Sequence, residues 1–383
     1  MKKILCFLIP LAFAISCKEA YNVPSPSPPT GYLVVEGFIN SGDGPTVITL
    51  SRTTKLYDSV DIVYEYRAQV SIEGENSETF ALSETGNGTY TSEQLSLNSN
   101  EKYRIHIRTQ DGKEYQSDFA AVKSTPPIDS ISWKRENGVG IYINTHDPLN
   151  NTRYYQWKYE ETWEFHAAFP SSLKYSLDET QHPYAVEYRL PTQGTDTLIY
   201  KCYQNINSTS ITLGSSEKLA EDKIFLPLLH IDPGTEQISV LYSIHVRQYA
   251  LSRQAYLFFD KIKKNTEGLG SIFDAQPSDL QGNVHCISNP SEIVVGFVEV
   301  SQEQDKRIFI SRDQVPDWGY ATGCVEIALD NNKDSIHKYG EDLMPTMPIK
   351  IGPFNSIVTF HAAPRICVDC TLRGSNKRPA FWP

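Results

Sequence analysis

From Tyr32 onward, apolar side chains recur at every second position in short runs broken by turn-forming clusters. That period of two belongs to strands with one buried face. Tyr32-Leu-Val-Val-Glu-Gly-Phe-Ile39 and Thr46-Val-Ile-Thr-Leu50 read as strands joined by the turn Ser41-Gly-Asp-Gly-Pro45. Ala68-Gln-Val-Ser-Ile72, Thr79-Phe-Ala-Leu82, Gly86-Asn-Gly-Thr-Tyr90 leading to Leu95 and Leu97, Tyr103-Arg-Ile-His-Ile107 and a return strand from Tyr115 continue the pattern. About seven short strands within residues 32–123 predict a two-sheet sandwich of immunoglobulin or transthyretin type. This segment has no cysteine, so its core is expected to be purely apolar.

Ser124-Thr-Pro-Pro-Ile-Asp-Ser130 marks a boundary, because two prolines enforce extended backbone and block helix entry. Alternation resumes in Ile128-Asp-Ser-Ile-Ser-Trp133, Val139-Gly-Ile-Tyr-Ile-Asn144 and Arg153-Tyr-Tyr-Gln-Trp-Lys-Tyr-Glu160. Residues 166–200 are poorly patterned and read as a long loop or insertion. Further strands are expected at Gln237–Arg247, Ile293–Val300, Arg307–Ile310 and Ile357–Phe360. The helical period appears once: Ser252 can cap a helix near residues 252–266, Ala255, Phe258, Phe259 and Ile262 share a face, and Gly268 can end it. The predicted fold is therefore mainly β, with a second β-rich, sandwich-like domain over residues 124–366 that carries one helix, and a cysteine-bearing tail over residues 367–383.

Ahead of the alternation lies a different grammar. Lys2 and Lys3 precede the apolar run Ile4–Ile15, and small residues stand just before Cys17, the order of a secretory signal over residues 1–16. A cysteine as first mature residue makes it a lipoprotein signal. The Cys17 thiol would take a diacylglycerol and the new amino terminus a further acyl chain; two or more chains make such anchoring stable. Residues 17–31 then form a Pro-rich tether, Asn22-Val-Pro-Ser-Pro-Ser-Pro-Pro-Thr-Gly31, with extended polyproline geometry. Beyond Cys17 no stretch approaches the roughly 20 apolar residues of a membrane helix. The formal net charge is −11, and losing Lys2 and Lys3 makes the mature body more acidic still. Such a surface disfavours nucleic acid and anionic lipid.

The remaining cysteines are Cys202, Cys286, Cys324, Cys367 and Cys370, an odd number that leaves at least one unpaired within the chain. Export favours disulfides over zinc. Cys367-Val-Asp-Cys370 has the spacing of a redox or zinc motif, but it sits in a loop-like tail and no second pair completes a zinc site. We expect Cys324 to bond one of the two tail cysteines. No phosphate-binding loop, Gly-x-Ser-x-Gly or His-Glu-x-x-His is present, and no histidine pair has i, i+3 or i, i+4 spacing. Asp43, Asp58 and Asp61 lack the pattern of a calcium loop. Glu160 and Glu161 are neighbours on a strand, so they point to opposite faces and make no acid/base pair by spacing. No cofactor, metal or catalytic residue is expected, and the chain reads as a non-enzyme.

Tyr155, Trp157, Tyr159 and Trp163 form the candidate binding surface. Exposed, these rings would stack sugars or grip a protein; buried, they are sandwich core, the reading that alternation favours.

Several phrases resemble a family of uncharacterised outer-membrane lipoproteins of the Bacteroidota. They are the lipobox at Cys17, Thr125-Pro-Pro-Ile-Asp-Ser-Ile131, Tyr242-Ser-Ile-His-Val-Arg-Gln248, Gly270-Ser-Ile-Phe-Asp-Ala-Gln-Pro277, Gly282-Asn-Val284, Lys306-Arg-Ile-Phe-Ile310 and Cys367-Val-Asp-Cys-Thr-Leu-Arg-Gly-Ser-Asn-Lys-Arg-Pro-Ala-Phe-Trp382. The resemblance implies a neighbourhood beside TonB-dependent outer-membrane transporters and no catalytic residues. The expectation is an outer-membrane-anchored accessory that captures or hands over a ligand, facing the cell surface rather than the periplasm. The alternatives are a surface glycan-binding module and an adhesin-like structural spacer without a cleft between its domains.

Overall fold

Leu33, Val35 and Ile39 of the first strand, β1 (Leu33–Asn40), turn the same way as Ile48 and Leu50 of β2 (Pro45–Arg52), and all five are buried. The two strands pair antiparallel, Leu33 opposite Arg52 and Phe38 opposite Val47. They open the first sandwich of a computed structural model that describes residues 31–54, 62–190, 194–267, 281–339 and 342–383. Cys17, most of the tether, Asp58, Asp61, Gly268 and the phrase Gly270–Pro277 lie outside the described residues.

The sandwich continues through β3 (Gln69–Gly74), β4 (Thr79–Gly86), β5 (Thr89–Gln94), β6 (Lys102–Arg108) and β7 (Glu114–Ser117). The sheet runs β7-β6-β3-β4-β5-β2-β1. Its core is Val70, Ile72, Tyr90, Tyr103, Ile105, Ile107 and Tyr115 together with the inward residues of β1 and β2. Tyrosine serves there because each hydroxyl finds a partner: Tyr90 donates to Glu65 O at 2.9 Å and Tyr115 to Glu292 Oε1 at 2.7 Å.

After the Pro126-Pro127 linker, β8 (Ile128–Arg135) and β9 (Val139–Asp147) begin a second sandwich. The long strand β10 (Tyr154–His166) centres its opposite sheet. Residues 166–200, expected as loop, instead contain the hairpin β11 (Leu173–Leu177) and β12 (Pro183–Tyr188). Their apolar positions are few: Leu173, Tyr175, Val186 and Tyr188 all face a third, small core.

Next come β13 (Lys201–Asn207), β14 (Thr212–Ser215), β15 (Asp222–Ile231) and β16 (Leu241–Ala250). The helix α1 (Arg253–Glu267) is where periodicity predicts it, with the Ser252 hydroxyl accepting from Ala255 N at 3.0 Å.

Two short strands, β17 (Val284–Cys286) and β18 (Val294–Gly296), return to the first sandwich. β17 adds antiparallel to β7 and β18 parallel to β1, and the two also touch, so one late segment bridges both ends of the curled sheet. Gly296 permits this: a Cβ there would stand 2.6 Å from the carbonyl oxygen of Val35. Residues 284–301 therefore complete the first sandwich although their sequence position lies in the expected second domain. A three-residue strand carries too little alternation to reveal its partner.

The last elements are β19 (Gln304–Ser311), β20 (Ile327–Asp330), the short helix α2 (Lys333–Tyr339), β21 (Leu343–Ile351) and β22 (Ile357–Pro364). The second sandwich stacks the sheet β8-β9-β15 on the sheet β13-β10-β16-β19, to which β14 adds along β10. Ile131, Ile141 and Ile143 meet Tyr155, Trp157, Trp163, Phe165, Tyr242, Ile244 and Ile310 between them. The order β20-β22-β21 makes the small third sheet, closed by the β11–β12 hairpin and α2.

Cys324 bonds Cys367 and Cys202 bonds Cys370, so the CxxC cysteines belong to two separate disulfides. Cys286 is the free thiol among the described residues, buried in the first core.

Two measurements check this account. Trp157→Ala is expected to cost about 3–5 kcal/mol in urea unfolding, as for other large-to-small core changes; a cost within experimental error would place the ring outside the core. Non-reducing peptide mapping should recover the 202–370 and 324–367 links, with Cys286 alkylated only after denaturation. A 367–370 link would refute the pairing.

Candidate functional site

Strand β10 is buried on both faces. Its odd positions enter the core: Tyr155, Trp157, Trp163 and Phe165 are all under 5 % exposed, and Tyr159 packs partly buried against them. Tyr155 and Trp157 stack with ring centroids 5.6 Å apart. Trp157 Nε1 donates to Gln248 Oε1 at 2.7 Å, and Gln248 Nε2 donates in turn to Pro126 O at 2.7 Å and Thr145 Oγ1 at 3.0 Å. The candidate binding rings are thus structural, because strand alternation aims them between the two sheets.

The even positions, Gln156, Lys158, Glu160, Thr162 and Glu164, form the opposite face. Register sets Tyr249 beside Gln156, Arg247 beside Lys158 and His245 beside Glu160, with Asp305 and Arg307 across from Arg247 and His245. The C-terminal tail covers one half of this face. Trp382 is buried there, edge-on to Tyr203 and Phe309, and its Nε1 donates to Glu164 Oε2 at 3.2 Å.

The other half opens into a cleft of about 860 Å³ between the two sandwiches. Its far wall is the outward face of β1 and β2, including Val34, Glu36, Phe38 and Val47, and α1 closes one side with Phe258, Phe259 and Ile262. Phe38 stacks on Tyr249 at 4.2 Å with planes 6° apart, pinning one sandwich to the other.

The charges inside are mostly neutralised. Arg247 lies 3.7 Å from both Glu160 and Glu303, and Arg307 lies 3.7 Å from Glu160. The Tyr249 hydroxyl donates to Glu303, and burial beside that carboxylate pushes the phenol well up. His245 Nε2 meets Asp305 at 2.7 Å.

Lys158 is different. Its ammonium lies 5.7 Å from the centroid of the Phe38 ring, and among the described residues no hydrogen bond or ion pair reaches it. Burial holds the amine below the usual lysine range, while Glu36 acts in the opposite direction. Gln156, 4 % exposed, leaves Oε1 without a hydrogen-bond partner.

Other residues singled out in the sequence do not converge. Glu160 faces the cleft while Glu161 accepts from Tyr242 OH at 2.8 Å. Among the described residues no group of histidines, cysteines and acids is placed to hold a metal ion, and no helix is long and apolar enough to cross a membrane. Sequence reading passed over Gln156 and Lys158, whose signal was the polar half of the same alternation that marked Tyr155, Trp157 and Tyr159.

No curated protein matches the chain. Solved structures with some likeness include the chicken interferon gamma receptor alpha chain, at 10 % identity over 58 % of this chain and 90 % of that one, TM-score 0.16. A chitinase, ChiA74 from Bacillus thuringiensis, shares 13 % identity over 51 % of this chain and 29 % of its own, TM-score 0.16. The BSP domain of a biofilm associated protein shares 7 % over 88 % and 76 %, TM-score 0.16. At that similarity none informs fold or function. The family model described as Domain of unknown function (DUF4249) matches residues 18–307, three quarters of the sequence, and the chain belongs to that family.

Proposed function

We propose that this protein is a non-enzymatic binding lipoprotein, anchored in the outer membrane through Cys17, that captures a ligand for a TonB-dependent transporter from the cell-surface side. The cleft between the two sandwiches is the observation that carries the binding reading. A structural spacer has no use for a concave site lined by convergent polar and aromatic side chains, whereas ligand sites are concave, largely apolar and sparsely polar. The lipid anchor and the transporter rest on the signal before Cys17 and on the family resemblance. The glycan-module reading loses its basis, since Trp157 and Trp163 are not available for stacking.

A surface for the transporter is offered by the tip of the third sheet. Met347, Ile349, Ile351, Phe354 and Val358 are exposed there, and Phe354 is fully exposed in the turn between β21 and β22. A contiguous group of exposed apolar residues marks an interaction surface.

Extraction of native membranes in mild detergent is expected to co-purify the chain with a TonB-dependent barrel. Ile351→Asp with Phe354→Asp should weaken that association by about thirtyfold, the loss of one hot spot of ~2 kcal/mol. A lone, monodisperse lipoprotein across several detergents would count against the transporter reading. Protease added to intact cells should degrade the body; full protection would place it on the periplasmic face.

A further inference from the structure

The cleft's polar groups are unequally satisfied, and the inequality describes a ligand. Glu160 and Glu303 are engaged by Arg247, Arg307 and Tyr249, and His245 by Asp305. Lys158 and Gln156 are not engaged. They stand two residues apart on one face of β10, so their Cα atoms are roughly 7 Å apart along the strand. Among the described residues Lys158 makes no hydrogen bond or ion pair, and Glu36 and Glu303 act on it only at longer range. A partly buried ammonium without a direct partner, like a buried acceptor without a donor, costs stability unless something pairs with it. Around them the walls are apolar: Phe38 on one side, Phe258, Phe259 and Ile262 from α1, and Phe297 beyond.

We propose that this cleft binds a small organic carboxylate with a neighbouring N–H or O–H group and an apolar side group. The carboxylate pairs with the Lys158 ammonium, the donor serves Gln156 Oε1, and the apolar group lies against the phenylalanine wall. This deepens the binding reading and rests on the cleft being the capture site. Arg247, beside Lys158, is bridged to carboxylates and leaves Lys158 as the cation available to an anion. Its salt-bridge partners Glu160 and Glu303 are already neutralised, and Glu36 is exposed at the rim. The ligand's anion would offset the desolvation that holds the Lys158 amine down.

The probe is dansyl-L-phenylalanine, which carries a carboxylate, a sulfonamide N–H and two apolar ring systems; its carboxamide analogue keeps the shape but removes the charge and replaces one acceptor oxygen with an NH2 group. Titrated by dansyl fluorescence against the detergent-solubilised full-length chain, the acid should bind saturably and the amide about tenfold more weakly, the factor for one charge-assisted contact of ~1.4 kcal/mol. Lys158→Met should abolish the preference by weakening the acid alone, Lys158→Arg should retain it, and Gln156→Leu should weaken acid and amide alike. Equal binding of acid and amide by the wild-type chain, a preference that survives Lys158→Met, or no saturable binding of the acid at millimolar concentration would each overturn the proposal. The wild-type comparison stands even if a variant fails to fold. No barrel is present in the titration, so a failed co-purification does not touch the result.

Discussion

The double burial of β10 is the constraint on which the second sandwich and the cleft both depend. A strand offers two faces whatever its sequence, and here neither is surrendered to bulk solvent along most of its length. The aromatic face fills most of the inter-sheet space, and Cys202 and Cys370, bonded to each other, join the same core. Burying Tyr155 and Trp157 together requires satisfying two polar atoms as well, and Asp222 and Gln248 do so. That requirement fixes the spacing between sheets, because a hydrogen bond tolerates less error than an apolar contact. The polar face inherits the rigidity. Side chains that line the cleft project from a strand whose other side is locked, the arrangement under which a binding site keeps its geometry.

Tail and cleft divide the polar face between them. Where Trp382 lies, the sheet is sealed: its indole reaches Glu164, Lys201 pairs with the same carboxylate at 2.8 Å, and Phe381 lies beneath the Arg307 guanidinium. The Cys202–Cys370 bond ties that tail to β13, next to the strand it covers. Closing a separation of 168 residues, the bond removes on the order of 4–5 kcal/mol of loop entropy from the unfolded chain in the chain-entropy picture. Only the half left uncovered by the tail can receive a ligand.

Much of the fold was legible in the sequence because its strands alternate cleanly. β1, β2, β6 and α1 lie within a residue or two of their expected bounds, and β9 starts at the expected Val139 but runs three residues past Asn144. What escaped did so for identifiable reasons. β11 and β12 have few apolar positions because they cover only a small core, and β17 and β18 are too short to show a period. The CxxC spacing invites pairing or metal, yet Cys367 and Cys370 point to different partners across α-helical and 3₁₀ turns that separate them. The site itself was half visible: attention went to the rings of β10, while function, on our reading, lies with the residues between them.

The return of residues 284–301 to the first sandwich bears on how the chain is made. Both ends of that curled sheet wait for strands that leave the ribosome long after β1 to β7. The N-terminal module is therefore not a unit that can close behind an emerging chain. Its edges at β1 and β7 stay unpaired until nearly four fifths of the polypeptide exists, and the tail disulfide forms later still. Completion of the first sandwich is thereby coupled to the arrival of residues 284–301, and its core closes only when sequence far from its own start is in place.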